Sequence, residues 1–280
     1  MTEALQTLEV TEPLRLFWWK GKPNFGDALS KIVTAYAAGR PVRHARPKYC
    51  EMFGLGSILQ IAERNYRTPN ESGNRPWVWG SGMMEGIGLG FRQNVRICMV
   101  RGPITASLLG IKSERYGDPG LLTAEALPAA GSREDKIGLL VHHSQLGDPR
   151  IQAALQAEPR LYYIDVQGKP EKVCAEISKC AHVISSSLHG LVVADAYGIA
   201  NTWLDPEGHA RLKYYDYAAS IGRVLSVPLK MDDIVAALPQ LSQGALPYVD
   251  GVAKAKATLL EHFPAELRGA PKHTPVASGA

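Results

Sequence analysis

Residues 181–198 read Ala181-His182-Val183-Ile184-Ser185-Ser186-Ser187-Leu188-His189-Gly190-Leu191-Val192-Val193-Ala194-Asp195-Ala196-Tyr197-Gly198. Val183 and Ile184 suit the interior of a buried strand. Three consecutive serines end it, because their hydroxyls compete for backbone bonds and favour turns and caps. Leu188, Leu191, Val192 and Ala196 then recur at helical spacing. Gly198 suits a left-handed C′ position that closes the helix. The stretch therefore predicts strand, serine turn and helix. A helix N-terminus bearing serine hydroxyls and a histidine suits an anion, since free N–H groups and the helix dipole both favour negative charge. His189 adds a group that titrates near neutral pH. An ordinary capped helix with a histidine in its first turn would look the same, so function has to come from the rest of the chain.

Working outward, the same unit recurs. Before the stretch lie a strand at 137–142, the turn His143-Ser144-Gln145-Leu146-Gly147-Asp148, a helix at 149–157, a strand at 161–166 and a helix at 171–180; after it comes a strand at 201–204. His142 and His143 end the first of these strands, where alternation lets at most one of them face a ligand. The N-terminal half opens with a strand at 14–19, a loop Lys20-Gly21-Lys22-Pro23-Asn24-Phe25-Gly26-Asp27, and a helix at 28–38. Its glycines allow close approach of backbone to a ligand, and Asp27 serves equally well as the N-cap. The loop is neither a Walker loop nor GxGxxG. Further strands are expected at 77–82 and 95–101, with a short basic strand or loop at 42–47, a glycine-punctuated turn at 53–59 and a surface loop at 64–76. Gly102-Pro103 opens another helix. Arg101 stands at a strand's C-terminal end, where open α/β sheets bind ligands, although a salt bridge would also account for it.

Strands alternating with helices on both sides of a patternless stretch at 129–136 predict an α/β protein of two Rossmann-like lobes with parallel sheets and a cleft between them. The expected division is 13–130, 131–265 and a Pro/Gly/Ala/Ser-rich tail, 266–280, that is expected to be disordered. Residues 205–217 add Arg211, Lys213 and three tyrosines, a loop able to hold anions and to stack a sugar on Tyr214.

The chain has 280 residues and a formal net charge of +4. That mild basicity fits an anionic ligand or loose contact with an anionic membrane surface, and lacks the Lys/Arg clustering of a nucleic-acid binder. No run of 18 apolar residues predicts a membrane span. The first 13 residues are acidic and polar, unlike a signal peptide. Cys50, Cys98, Cys174 and Cys180 form no CxxC pair and are expected to be reduced, in a cytoplasmic protein; their spacing does not suit zinc.

Six motifs occur in one order: Lys-Pro-Asn-Phe-Gly-Asp (22–27), Trp-Gly-Ser-Gly (79–82), Val-Arg-Gly-Pro-Ile-Thr (100–105), Tyr-Gly-Asp-Pro-Gly-Leu-Leu (116–122), Ser-Ser-Ser-Leu-His-Gly (185–190) and Lys-Tyr-Tyr-Asp-Tyr (213–217). From about residue 14 to about residue 225 the series resembles the polysaccharide pyruvyl transferases, most of all the ketal pyruvyltransferases of xanthan- and succinoglycan-type exopolysaccharides. The resemblance implies an architecture similar to glycosyltransferase-B, an active site in the interlobe cleft, an acceptor-binding N-terminal lobe and a donor-binding C-terminal lobe. It implies phosphoenolpyruvate as co-substrate; nothing in the sequence demands a metal, and no cofactor is expected. The implied acceptor is a terminal sugar, commonly on a lipid-linked repeat unit at the cytoplasmic face of the inner membrane. The family's donor-binding Ser/Leu/His stretch maps onto 185–190. Many members carry an arginine immediately before the Leu-His pair, and this chain has Ser187 there.

Ketal formation needs two additions at C2 of the enolpyruvyl group, hence an acid, a base and cations. His189 and Asp27 are the catalytic candidates. Asn24, Gly26, Arg101, Ser186, Ser187, Gly190, Arg211, Lys213 and Tyr214 are the substrate-binding candidates. Two other functions fit the same architecture: a nucleotide-sugar glycosyltransferase and a non-catalytic scaffold of polysaccharide assembly.

Overall fold

A computed structural model describes residues 12–242 and 244–269. The first sheet holds β1 (Leu14–Phe17), β2 (Val42–His44), β3 (Met52–Phe53), β4 (Trp77–Ser81) and β5 (Arg96–Val100), in the order β2-β1-β3-β4-β5. The second holds β6 (Ile137–Leu140), β7 (Leu161–Tyr163), β8 (His182–Ser185) and β9 (Asn201–Trp203), in the order β7-β6-β8-β9. Every strand pairing within the two sheets is parallel, as βα alternation requires. Helices α1 (Phe25–Ala38), α2 (Leu59–Tyr66), α3 (Pro103–Leu108) and α4 (Thr123–Ala126) accompany the first sheet; α5 (Pro149–Ala157), α6 (Pro170–Ser178) and α7 (Leu188–Ala196) accompany the second. After β9 come α8 (Leu212–Ser220), α9 (Ile234–Ala237) and α10 (Val249–Glu261). The fold is two Rossmann-like lobes.

Parallel strands are covered on both faces, so they read as apolar runs. β6 and β8 are buried along their whole length. The quoted stretch folds as expected, and Gly198 takes φ 65° just beyond α7. The expectation of one apolar face on that helix was too modest, because all nine residues of α7 are buried. A helix apolar on every side lies inside a molecule, and this one is wedged between the lobes. α7 and α1 both pack on the 3-10 turn Pro119–Leu122. One apolar cluster runs from Leu14 through Leu121 and Val192 to Trp203, so a continuous core joins the two sheets.

Several boundaries moved. β1 ends at Phe17, which leaves Trp19 past the strand and 48% exposed. α2 runs on to Tyr66, into the stretch expected as loop. β6 ends at Leu140, so His142 lies beyond the strand. α10 does not belong to the second lobe alone. Trp79 Nε1 in β4 donates to the Leu259 carbonyl at 3.0 Å, and Phe263 sits edge-on to its ring, while Tyr248 just before α10 reaches Asp195 in α7. Residues 265–267 form a 3-10 turn, with Glu266 paired to Arg96, so the chain is ordered past the expected start of the tail. The rest of that tail, 270–280, and the leader up to residue 11 lie outside the described residues.

Candidate active site

Asn24, not Asp27, caps α1: its side chain accepts from the Gly26 N–H at 2.9 Å. The Phe25 N–H donates to the Val166 carbonyl at 2.9 Å, which docks the start of α1 against the second lobe. Asp27, relieved of capping, faces a cavity of about 530 Å³ at the carboxyl ends of the strands of both sheets. A volume of that size suits a small ligand. A larger depression, about 660 Å³, follows the outer edge of β5 between 97–100 and 111–115. It lies at a sheet edge and carries no histidine.

The serine turn divides its labour. Ser185 Oγ donates to the Leu140 carbonyl at 2.8 Å and accepts from the Ser187 N–H at 3.0 Å. Ser186 Oγ donates to Gln145 and accepts from the His142 N–H at 2.8 Å. These two hydroxyls build the turn; Ser187 is the serine that lines the cavity. Gly190 packs on Ser185, whose Oγ would lie 2.2 Å from a Cβ placed there. Gly26 has the same kind of role: its Cβ would fall 2.1 Å from His189 Nδ1, so the absence of a side chain on α1 lets the imidazole lie against that helix.

Asp27, His189 and Lys213 all line the cavity. His189 is 8% exposed and its Nε2 is buried with no hydrogen-bond partner. Burial, reinforced by Lys213 and Arg101, drives its pKa down to about 3. Burial raises the Asp27 carboxyl to about 6, against the pull of Lys213. Lys213 is itself lowered to about 8 by burial and by Arg101. Among the described residues it forms no ion pair within 4.0 Å. At neutral pH the site therefore presents a carboxylate, a neutral imidazole and a buried ammonium to the cavity. That set accepts protons and holds an anion.

Other expected residues lie elsewhere. Arg101 is fully buried and already engaged: Nε pairs with Asp216 at 3.0 Å, and the other nitrogens donate to Ser57 Oγ and the Met83 carbonyl. It acts on the cavity through its field, not by contact. Arg211 pairs with Asp205 at 2.8 Å, at the surface. Tyr214 is buried, stacks on Trp203 at 5.1 Å and donates to the Ser186 carbonyl, so it supports the serine turn and offers no face for a sugar.

Both His142 and His143 line the cavity, against the expectation that one at most would. Strand alternation stops at Leu140; His142 caps a 3-10 turn that begins at His143, and the turn puts neighbouring side chains on one side. His209 joins them. Across the cavity, Trp19, Ile58, Ile61 and Met84 form a mainly apolar wall. Sequence reasoning missed it; its trace was an aromatic pair, Trp18-Trp19, of which one member outruns the strand. Among the described residues no group of three or more His, Cys, Asp or Glu side chains is arranged to hold a metal ion. Nor is any described helix long and apolar enough to cross a membrane.

The succinoglycan biosynthesis protein ExoV of Rhizobium meliloti is 25% identical to this chain over 210 residues, covering 74% of the chain and 64% of that protein. An uncharacterised protein of Acanthamoeba polyphaga mimivirus is 28% identical over 137 residues, 44% of this chain and 47% of its own length. The chain thus spans less than two thirds of either relative. A solved structure, a protein of uncharacterised function from Klebsiella pneumoniae, superposes with a TM-score of 0.47 at 11% identity, covering 73% of this chain and 87% of that one. The family model for polysaccharide pyruvyl transferase matches residues 64–208, a span that takes in the serine turn, His189 and three of the cavity's strand ends. With more than half its length so matched, the chain belongs to the polysaccharide pyruvyl transferase family.

Proposed function

We propose that this protein transfers a pyruvyl group from phosphoenolpyruvate to two hydroxyls of one terminal sugar of an exopolysaccharide repeat unit. The product is a pyruvate ketal, and phosphate is released. The observation that carries the proposal is the meeting of Asp27, His189 and Lys213 in one cavity contributed by both lobes. Family membership and the likeness to a succinoglycan biosynthesis protein support it.

The first hydroxyl adds across the enolpyruvyl double bond: its oxygen bonds to C2 and its proton is balanced by one delivered to C3. The C2–O bond to phosphate then breaks. The second hydroxyl bonds to C2 and loses its proton, which leaves with phosphate. Two protons move, and two side chains suited to moving them are present. Neutral His189 accepts a hydroxyl proton and returns it; Asp27 orients or deprotonates the acceptor. Lys213, held near its ordinary charge only below about pH 8, meets the donor's negative groups. The apolar wall with Trp19 receives the sugar's C–H face. The acceptor is proposed to be lipid-linked and presented at a membrane surface, which a mildly basic protein would approach.

Incubation with phosphoenolpyruvate and lipid-linked oligosaccharides should yield an acceptor heavier by one pyruvyl group, with acceptor-dependent phosphate release. His189→Ala should lower kcat at least 100-fold. Thermal stabilisation by a UDP- or GDP-sugar and none by phosphoenolpyruvate would overturn the proposal in favour of glycosyl transfer.

A further inference from the structure

Three histidines in the cavity have no part in the steps above. The His142 and His143 rings stand 4.1 Å apart, and His142 and His209 4.4 Å apart. Hydrogen bonds fix where the protons of the His142 and His209 rings are. The Ser144 N–H reaches His142 Nδ1 at 3.3 Å and can only donate, so Nδ1 is an acceptor and the proton of that ring is on Nε2. Ser144 Oγ also lies 2.8 Å from His142 Nδ1 and 2.8 Å from His209 Nε2. One hydroxyl proton cannot serve both rings. It goes to His142, and His209 donates Nε2–H to the same oxygen. His209 is left with an unbonded Nδ1 among the described residues, and His143 Nδ1 is buried with no partner. Two imidazoles thus keep an open nitrogen.

The charges around them are mostly positive. Lys22 from the β1–α1 loop and Lys213 from α8 both hold the cluster toward its neutral form. His189 of α7, Asp27 of α1, Arg64 of α2 and Glu85 of the loop after β4 also border the cavity. Arg150 of α5 is engaged by Asp148, Glu207 and Asp232, and Arg211 by Asp205. Burial, acting with Lys213 and, at His142 and His143, with Lys22, lowers the pKa of all three rings, that of His142 to about 3. An empty site of this kind avoids gathering several charges without a counterion. A dianion entering it reverses that balance.

We propose that His142, His143 and His209 form, with Lys213, a subsite for a tetrahedral oxyanion of the phosphate class, whose binding draws protons onto His143 and His209. This deepens the reading given above, in which the anion is the donor's phosphate group, later the leaving phosphate. The subsite supplies the positive charge that Ser187 does not.

Sulfate is the probe, because it is tetrahedral, doubly charged and does not itself titrate. Its binding is followed by calorimetry at about pH 6.5 in two buffers of different ionisation enthalpy; the dependence of heat on buffer counts protons taken up. Lys213 is already charged there and adds nothing to the count. His143→Asn and His209→Gln keep a polar group near the lost nitrogen and cannot titrate. The expected result is net uptake by the wild type. The double variant should lose at least half of it and bind sulfate about tenfold more weakly. Asp27→Asn should leave the uptake in place. Absence of sulfate binding, absence of uptake, uptake that survives in a folded double variant, or uptake lost in Asp27→Asn would each overturn the proposal. The two readings fail separately: uptake without phosphoenolpyruvate turnover sinks the pyruvyl donor and keeps the subsite, and turnover without uptake does the reverse.

Discussion

Asp27 and Lys213 shift toward each other in pKa, the carboxyl up to about 6 and the ammonium down to about 8, mainly through burial. If Asp27 must be ionised and Lys213 charged for catalysis, kcat/KM should be bell-shaped. It should fall as pH drops through about 6 and again as pH rises through about 8. Lys213→Arg keeps its charge at every accessible pH, so its alkaline limb should disappear while the acid limb stays. A pH–rate series on both proteins checks this. Asp27 also has a stability signature. Its folded-state pKa lies above the unfolded value of 3.8, so the folded form is favoured when the group is protonated. That advantage is complete below the unfolded value and is lost as pH rises to about 6. Asp27→Asn should therefore stabilise the fold by on the order of 1–2 kcal/mol at pH 8, give only a small fraction of that gain at pH 4, and lower activity. Urea denaturation at the two pH values measures the difference. His142 and His189 act oppositely. Both are pushed down to about 3, so each costs stability as pH falls below the ordinary imidazole range.

At the scale of elements, α1 and α7 meet where Gly26 faces His189, and two glycines separate close packing from backbone conformation. A Cβ at Gly26 would stand 2.1 Å from His189 Nδ1 and 2.7 Å from its Cβ, so the helices must part to admit it. Gly26→Ala should cost about 1–3 kcal/mol, displace the imidazole and lower kcat. Gly198 closes α7 at φ 65°, and the nearest atom to a Cβ there is 3.9 Å away. Gly198→Ala should cost about 1 kcal/mol through backbone strain and leave kcat unchanged. Thermal melts and initial rates on the two variants separate the effects. The strand–turn–helix around the serines was legible because local rules set it: β-branched residues, a hydroxyl turn, a glycine stop. The cap of α1 was not, since Asn24 and Asp27 suit that role equally and the docking of Phe25 on Val166 accompanies Asn24 in it. Nor was the pairing of His142 with His143, because the side-by-side arrangement begins only where the strand's alternation ends.

Over the whole molecule, what the sequence hid was partnership at long range. Arg101 stood at a strand end as a ligand cation should, yet its partner Asp216 lies 115 residues further along the chain. The pair is fully buried, and Asp216 also accepts from the Thr105 N–H and hydroxyl, so α8 is clamped to the first lobe. Three residues before Asp216, the same helix carries Lys213 into the cavity. The ion pair therefore sets the position of the candidate donor-binding cation while the continuous core holds the lobes together. Removing one partner leaves a buried, uncompensated charge, so Arg101→Met should destabilise by about 3–5 kcal/mol. The double variant Arg101→Met, Asp216→Asn leaves no charge behind and should recover about 1–3 kcal/mol of that loss. It should not recover activity, since the ion pair that ties α8 to the end of β5 is then gone. Urea unfolding of wild type, single and double variants, combined with the KM for phosphoenolpyruvate, tests both halves. A double variant that regained stability and the original KM would show that α8 holds Lys213 in place without the pair. Equal destabilisation by single and double variants would mean that the charge at Asp216 is relieved by water entering between the lobes.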